Sequence, residues 1–219
     1  MVSPEILASL PLFSCLDEDE LDAISGVCLE QTYRKGAVII TEGERTDSLY
    51  AVLSGKAVGV SVDEEGRQFV LNEFGPGDHF GEMSFIDKAP RCADVEVAEP
   101  SRLLVISRDQ FREIIAANPN ICFKLMEGLN IKLRKATEQI KDLVFRDVYG
   151  RVARFLDGAC REETDRCRIA ERLTQQDVAD RVGASREMIS RIFKELRDGG
   201  YIEIDKKRIS VLRPLPFRW

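Results

Sequence analysis

The spacing of apolar residues changes period near residue 108, and this change limits the folds open to the chain. From residue 30 to residue 107 apolar and polar residues alternate in short runs: AVII, SLYAVL, KAVGVSV, RQFVLNEF, DVEVA and SRLLVIS. Alternation of period two marks strands with one buried face. Glycines at 36, 43, 55, 59, 66, 75, 77 and 81 punctuate the runs. Many short strands joined at glycine turns predict a sandwich or barrel. From Asp109 to Phe145 the spacing is helical, with a break at Asn118-Pro119, where Pro119 suits the first turn of a new helix. Strands followed by helices make this an α+β chain.

The second helical stretch carries a narrow seam. Cys122, Met126, Leu129, Leu133, Ala136, Ile140 and Leu143 recur at intervals of 4, 3, 4, 3, 4 and 3, flanked by Lys, Arg, Glu and Gln. Such a repeat buries itself against a partner helix, and a parallel pairing of two identical chains is expected. Packing on its own domain is the other way to cover that seam.

The C-terminal third reads as a helix from Val148 to Leu156 ended by Gly158, then LTQQDVADRVGASREMISRIFKELRDGG. Thr174 and Asp177 have the spacing of a capping box. Val178, Ala179 and Val182 form one apolar face, Gly183 makes a turn, and Ser185 caps a second helix. The apolar face of that helix is Met188, Ile189, Ile192, Phe193 and Leu196, and Gly199-Gly200 stops it. Helix, glycine turn and helix form a helix-turn-helix. YIEIDKKRISVL then alternates around Lys206-Lys207-Arg208, predicting a two-stranded wing.

The chain has 219 residues, which suits two domains. Its 44% hydrophobic and 32% charged content describes a soluble globular protein. No run of 18 apolar residues exists, so no membrane span is expected. The N-terminus reads as an amphipathic helix pair, without the basic start or cleavage site of a signal peptide. Six cysteines occur without a CxxC, so reduced cytosolic thiols are expected, with no iron–sulfur cluster. The single histidine, His79, reads as a solvated loop residue, and no metal site is expected. From Arg168 to Trp219 there are 12 Lys and Arg against 8 Asp and Glu, within a chain of net charge −6. A basic end on an acidic protein predicts that this end meets a polyanion.

Residues 80–93, FGEMSFIDKAPRCA, carry the candidate ligand chemistry. Gly81 and Glu82 stand side by side, and Arg91 follows with two small residues, Cys92 and Ala93. Phe80, Met83, Phe85 and Ile86 are the apolar residues around them. A guanidinium forks onto a phosphate, and a carboxylate accepts from a ribose hydroxyl. Glycine and small side chains let backbone N–H groups close around phosphate oxygens. These residues fit a nucleotide with a compact phosphate; mutual pairing of Glu82 and Arg91 is the plain structural alternative.

The order Phe-Gly-Glu, short apolar helix, Pro-Arg-small-Ala resembles the phosphate-binding cassette of cyclic-nucleotide-binding domains. KGAVIITEGERTDSLYAVLSGKAVGV resembles the β-roll of the same domain. With the seam helix and the helix-turn-helix, nearly the whole chain resembles the bacterial cyclic-AMP receptor protein and fumarate/nitrate-reduction regulator family. The resemblance implies a jelly-roll-like antiparallel β-roll sensor at 1–118, a dimerisation helix at 119–146 and a winged helix-turn-helix at 147–219. It implies a cytoplasmic homodimer and not an enzyme, with cyclic AMP as allosteric ligand and double-stranded DNA and RNA polymerase as partners.

It also implies roles for residues. Glu82 takes the ribose 2′-hydroxyl. Arg91 takes the cyclic phosphate, helped by the backbone of Gly81, Met83, Cys92 and Ala93. Cys92 stands where the family carries Ser or Thr. Ala136 and Thr137 stand where the family offers a Thr-Ser pair to adenine, and Ala136 cannot bond the base. Cyclic GMP, another nucleotide, or a ligand-independent regulator therefore stand beside cyclic AMP. Arg186, Glu187 and Arg191 match the family pattern that reads a palindromic TGTGA-type site, the arginines on guanines and Glu187 on cytosine. Thr174, Gln176 and Ser185 are candidates for phosphate contacts, and Lys206, Lys207 and Arg208 for backbone attraction from the wing.

Overall fold

The computed structural model describes residues 2–163, 166–169, 172–205 and 208–216, and the side chains of all but 161–163 and 166–168 among these. The chain forms two compact units, one of residues 1–61 with 70–134, the other of 62–69 with 135–219. Its longest helix runs from one into the other.

The first unit opens with two short helices, α1 (Pro4–Ala8) and α2 (Glu18–Ser25), with a 3-10 turn at Pro11–Phe13 between them. Asp17 caps α2 through a full capping box with Glu20. The sheet follows: β1 (Leu29–Tyr33), β2 (Val38–Ile40), β3 (Ser48–Val62), β4 (Gln68–Phe74), β5 (His79–Phe80) and β6 (Asp94–Ser107). The order is β1-β6-β3-β4, with β2 also on β6 and β5 also on β3. The pairings given by register are antiparallel, as expected.

The run lengths differ from expectation. SLYAVL and KAVGVSV are one 15-residue strand, and DVEVA and SRLLVIS one of 14. Both strands continue through a bulged corner, where the β3–β6 register shifts between Val52 and Ala57. Gly55 sits there at φ +87°, and an added Cβ would lie 2.3 Å from the Pro100 carbonyl oxygen. A glycine that punctuates the sequence can thus bend a strand instead of ending it.

Alternation sends neighbours to opposite faces. Leu49, Ala51, Leu104 and Ile106 pack with Leu7, Phe13, Phe111 and Ile121 of the helices. Val52 and Leu103 pack instead with Ile40, Phe74, Phe80 and Val95. After the cassette helix α3 (Glu82–Asp87) come α4 (Arg108–Ala117), with a Ser107–Gln110 capping box, and α5 (Asn120–Phe145). Ile121 and Leu125 of α5 are buried against this core. The predicted seam lies on another side: Cys122 and Leu129 are half-buried, while Met126, Leu133, Ala136, Ile140 and Leu143 are exposed.

The second unit contains α6 (Val148–Gly158), α7 (Gln175–Val182) and α8 (Arg186–Asp198). Its strands are β7 (Cys160–Glu163), β8 (Arg166–Ile169), β9 (Ile202–Asp205) and β10 (Arg208–Val211). The expected two-stranded wing, β9 and β10, belongs to a four-stranded sheet ordered β7-β8-β10-β9. CREE and RCRI carry no apolar alternation, so pairing alone makes them strands. Val152, Leu156, Ile169, Val178, Ile189, Phe193 and Ile209 form a common core.

Two further expectations are corrected. Cys160 is disulfide-bonded rather than a reduced thiol, whereas Cys15, Cys28, Cys92 and Cys122 are free. Cys160 opens β7, a strand the spacing did not disclose. Met188 is exposed rather than part of the inner face of α8; Ile189, Ile192, Phe193 and Leu196 are buried as expected.

Candidate functional site

The cassette begins where β5 meets Gly81. This glycine adopts φ +86°, and a Cβ there would lie 2.8 Å from Arg91 Nη1 and 2.9 Å from the Ser48 carbonyl oxygen. Only glycine fits both the conformation and the space. Arg91 is 4% exposed. Its Nε donates to Thr46 Oγ1, Nη1 to Gly81 O and Nη2 to Ser48 O, each at 2.7 Å. Three of the five guanidinium donors are thus committed to holding the group in place. Backbone bonds from Arg91 N to Glu44 O and from Gly43 N to Arg91 O fix its loop. Burial pulls its pKa below the ordinary arginine value, opposed by Tyr50, Asp47 and Glu82 among others.

Glu82 is 3% exposed. It does not pair with Arg91. Lys132 of α5 donates to Glu82 Oε1 at 2.7 Å and to the His79 carbonyl at 2.6 Å, and its ammonium stands 5.5 Å from the centre of the Phe74 ring. Glu82 Oε2 is buried with no partner. A carboxylate oxygen without a protein partner in the interior is costly, and Oε2 is free to accept a hydrogen bond.

The expected setting of His79 is overturned. It is 8% exposed rather than solvated, with Nε2 buried and unpartnered. A Cβ on Gly128 would lie 2.5 Å from His79 Cε1, so that glycine lets α5 close over the ring. Burial, and then the nearby Lys132 charge, lower its pKa below 6.5; Glu82 and Asp78 oppose them.

Around these groups Phe80 stacks on Tyr50 at 5.2 Å, and Phe85 meets Phe111 edge-on. Met83 and Ile86, counted among the apolar surroundings, are exposed. Cys92 is exposed too, its thiol 3.7 Å from Met83 Sδ, and Ala93 is half-buried. Ala136 and Thr137 are exposed on the part of α5 in the second unit. Lys132 escaped the sequence reading, although it stands one helical turn before Ala136 and therefore on the same face. Thr46 and Ser48, which anchor Arg91, gave no signal of their own.

In the second unit Thr174 and Asp177 form the full capping box of α7, and Gly183 follows at φ +67°. Ser185 caps α8 by accepting from Met188 N at 3.2 Å. Capping occupies the Thr174 hydroxyl, which also donates to Asp177 Oδ2. Gln176 is exposed and bonds Asp180. Arg186, Glu187, Arg191 and Arg208 are all exposed. Glu187, Ser190, Arg191, Lys194 and Arg197 line one groove of about 440 Å³ along α8. Lys206 and Lys207 lie outside the described residues. Among the described residues no helix is long and apolar enough to cross a membrane, and no cluster of three or more His, Cys, Asp or Glu could hold a metal ion.

Comparison with known proteins agrees with both halves. Residues 30–118 match the cyclic nucleotide-binding domain, and residues 150–215 the Crp-like helix-turn-helix domain. The chain is 32% identical over 211 residues to a CRP-like cAMP-activated global transcriptional regulator of Mycobacterium tuberculosis, covering 94% of each. It is 30% identical over 198 residues to the cAMP-activated global transcriptional regulator Vfr of Pseudomonas aeruginosa, covering 87% of this chain and 92% of that protein. The fold is shared with the c-di-GMP responsive global regulator CLP of Xanthomonas campestris, at a TM-score of 0.80 and 24% identity, over 90% of this chain and all of that one. With a match to the cyclic nucleotide-binding domain, a match to the Crp-like helix-turn-helix domain and this degree of identity along almost its whole length, the chain belongs to the cyclic-AMP receptor protein and fumarate/nitrate-reduction regulator family of transcription regulators.

Proposed function

We infer that the protein is a cytoplasmic homodimeric transcription regulator switched by a cyclic nucleotide, with cyclic AMP as the first candidate. The bare Glu82 Oε2 carries the reading. A ribose hydroxyl supplies the donor this oxygen lacks, while the two uncommitted N–H groups of Arg91 face a phosphate. The division into a sensor at 1–118, a dimerising helix at 119–146 and a DNA-binding end at 147–219 follows. Paired α5 seams place two copies of α8 about 34 Å apart, on successive major grooves of a palindromic TGTGA-type site. There Arg186, Glu187 and Arg191 read base edges, and the regulator meets RNA polymerase.

A second reading keeps DNA binding and drops the ligand. Lys132 favours it, because it already neutralises Glu82. Titration calorimetry with cyclic AMP and cyclic GMP, on the wild type and on Arg91→Gln, separates the two. Heat with the wild type that vanishes in the variant supports nucleotide control. Silence with both nucleotides, together with unchanged DNA affinity in their presence, supports the constitutive regulator. Thr137→Ala then tests which base is preferred.

A further inference from the structure

Arg151, on the first turns of α6, bonds to two separate parts of the second unit. Its Nη1 donates to the carbonyl of Arg146, the residue after the end of α5, at 3.0 Å. Its Nε donates to the Val182 carbonyl at 2.8 Å and its Nη2 to the Gly183 carbonyl at 3.1 Å. Val182 ends α7, and Gly183 is the left-handed turn before Ser185 caps α8. One rigid fork thus joins the end of the long helix to the turn that aims the recognition helix.

Neighbouring contacts reinforce both ends. Arg154, one turn further along α6, pairs with Asp142 Oδ2 at 2.9 Å and Glu138 Oε2 at 3.2 Å, both on α5. Asp142 also pairs with Arg146 at 2.9 Å. At the turn, a Cβ on Gly183 would lie 3.6 Å from Leu143 of α5 and 3.4 Å from Phe69. The last turn of α5 and the helix-turn-helix elbow are therefore close at Leu143 and tied through Arg151.

We propose that Arg151 is a positioning residue that transmits the state of α5 to α8. A planar guanidinium with several fixed donors suits this task, because its bonds to both sides cannot be kept independently. When the end of α5 moves, the Arg146 carbonyl moves with it, and the fork must release it or carry the Val182–Gly183 turn along. Lys132, on α5 and 14 positions before Arg146 in the chain, bonds Glu82. The link from ligand to α8 rests on the nucleotide-controlled reading above; the link from α5 to α8 does not.

Two measurements test this. Hydrogen exchange over residues 183–190 is followed in the wild type, Asp142→Asn, Arg151→Gln and the double variant. Asp142→Asn loosens the end of α5 and should speed exchange at the turn about ten-fold where Arg151 is present, and add nothing in its absence. An effect of equal size in both backgrounds overturns the proposal. DNA affinity is then measured with and without cyclic AMP. The ratio of the two should fall about ten-fold in Arg151→Gln, whereas a merely structural residue would weaken both affinities alike and leave the ratio unchanged. An unchanged ratio in a responsive protein overturns the proposal as well. If the wild type itself ignores cyclic AMP, the ligand reading fails and the exchange result still decides the role of Arg151. Arg151→Lys keeps charge and stem but cannot span three carbonyls; it replaces Arg151→Gln in both measurements should that variant not fold.

Discussion

Lys132 Nζ lies 2.7 Å from Glu82 Oε1, so the long helix is bonded directly to the acid of the cassette. Glu82 is buried and Lys132 largely so, which makes the pair sensitive to loss of either member. Lys132→Ala leaves an uncompensated buried carboxylate and should destabilise the first unit by about 3 kcal/mol. Lys132→Ala with Glu82→Gln should recover part of that loss. Urea unfolding of the single and double variants checks both; additive losses would show that the two residues are not coupled.

Cysteine reactivity should map the cassette. Burial pushes the Cys28 thiol up to about 12, so it stays protonated and closed to alkylation. Cys92 is exposed beside Arg91 and should react with a maleimide at neutral pH. Bound cyclic nucleotide should shield Cys92 and leave the reaction of Cys15 unaltered. Peptide mass mapping with and without cyclic AMP reads this directly, and equal labelling of Cys92 in both would count against a ligand at Arg91.

Stability should fall in mild acid because of His79. Its folded pKa is held below 6.5, mainly by burial, so the unfolded chain takes up the proton more readily. Its contribution is complete above about pH 6.5 and is lost as pH falls from there towards the folded value. His79→Gln should flatten the unfolding midpoint between about pH 7.5 and pH 5.5. A slope identical to that of the wild type would assign the acid sensitivity elsewhere.

Exposed charges on α8 should govern sequence choice. Glu187→Ala should relax preference at one base pair in each half-site and cost about 1–3 kcal/mol on the preferred sequence. Arg208→Ala should instead weaken all sequences similarly and lower the salt dependence. Site selection from a random library distinguishes the two, and an unchanged consensus for Glu187→Ala would remove it from the readout.

The seam of α5 should hold two chains together. Leu133 is 65% exposed and Ile140 61% exposed, one heptad apart. Leu133→Lys with Ile140→Lys should leave a monomer by sedimentation and abolish tight binding to a two-half-site DNA. A wild type that already sediments as a monomer would overturn the dimer.

Much of the site was legible in the chain because its parts lie close together in sequence. Gly81, Glu82 and Arg91 fall within one short stretch, and Thr174, Asp177, Gly183 and Ser185 mark caps and a turn by local rules alone. The missed residues came from elsewhere in the chain. Thr46 and Ser48 reach Arg91 across more than 40 positions, and Lys132 reaches Glu82 across 50. Nothing local distinguishes such a lysine from the other cations on the charged face of α5. His79 was misjudged for the same reason: its loop is polar, but Gly128 lets a distant helix cover it.

The sequence by itself determined the order of modules, the period of each, the caps and the turns, since all of these depend on neighbours within a few residues. Tertiary structure alone decided that Glu82 pairs with Lys132 while one of its oxygens stays bare. It decided that short runs fuse into long bent strands, that CREE and RCRI become sheet, and that Arg151 ties α5 to the elbow before α8. Those outcomes depend on burial and hydrogen-bond satisfaction between segments far apart in the chain, and only the packed fold sets which polar groups meet away from water.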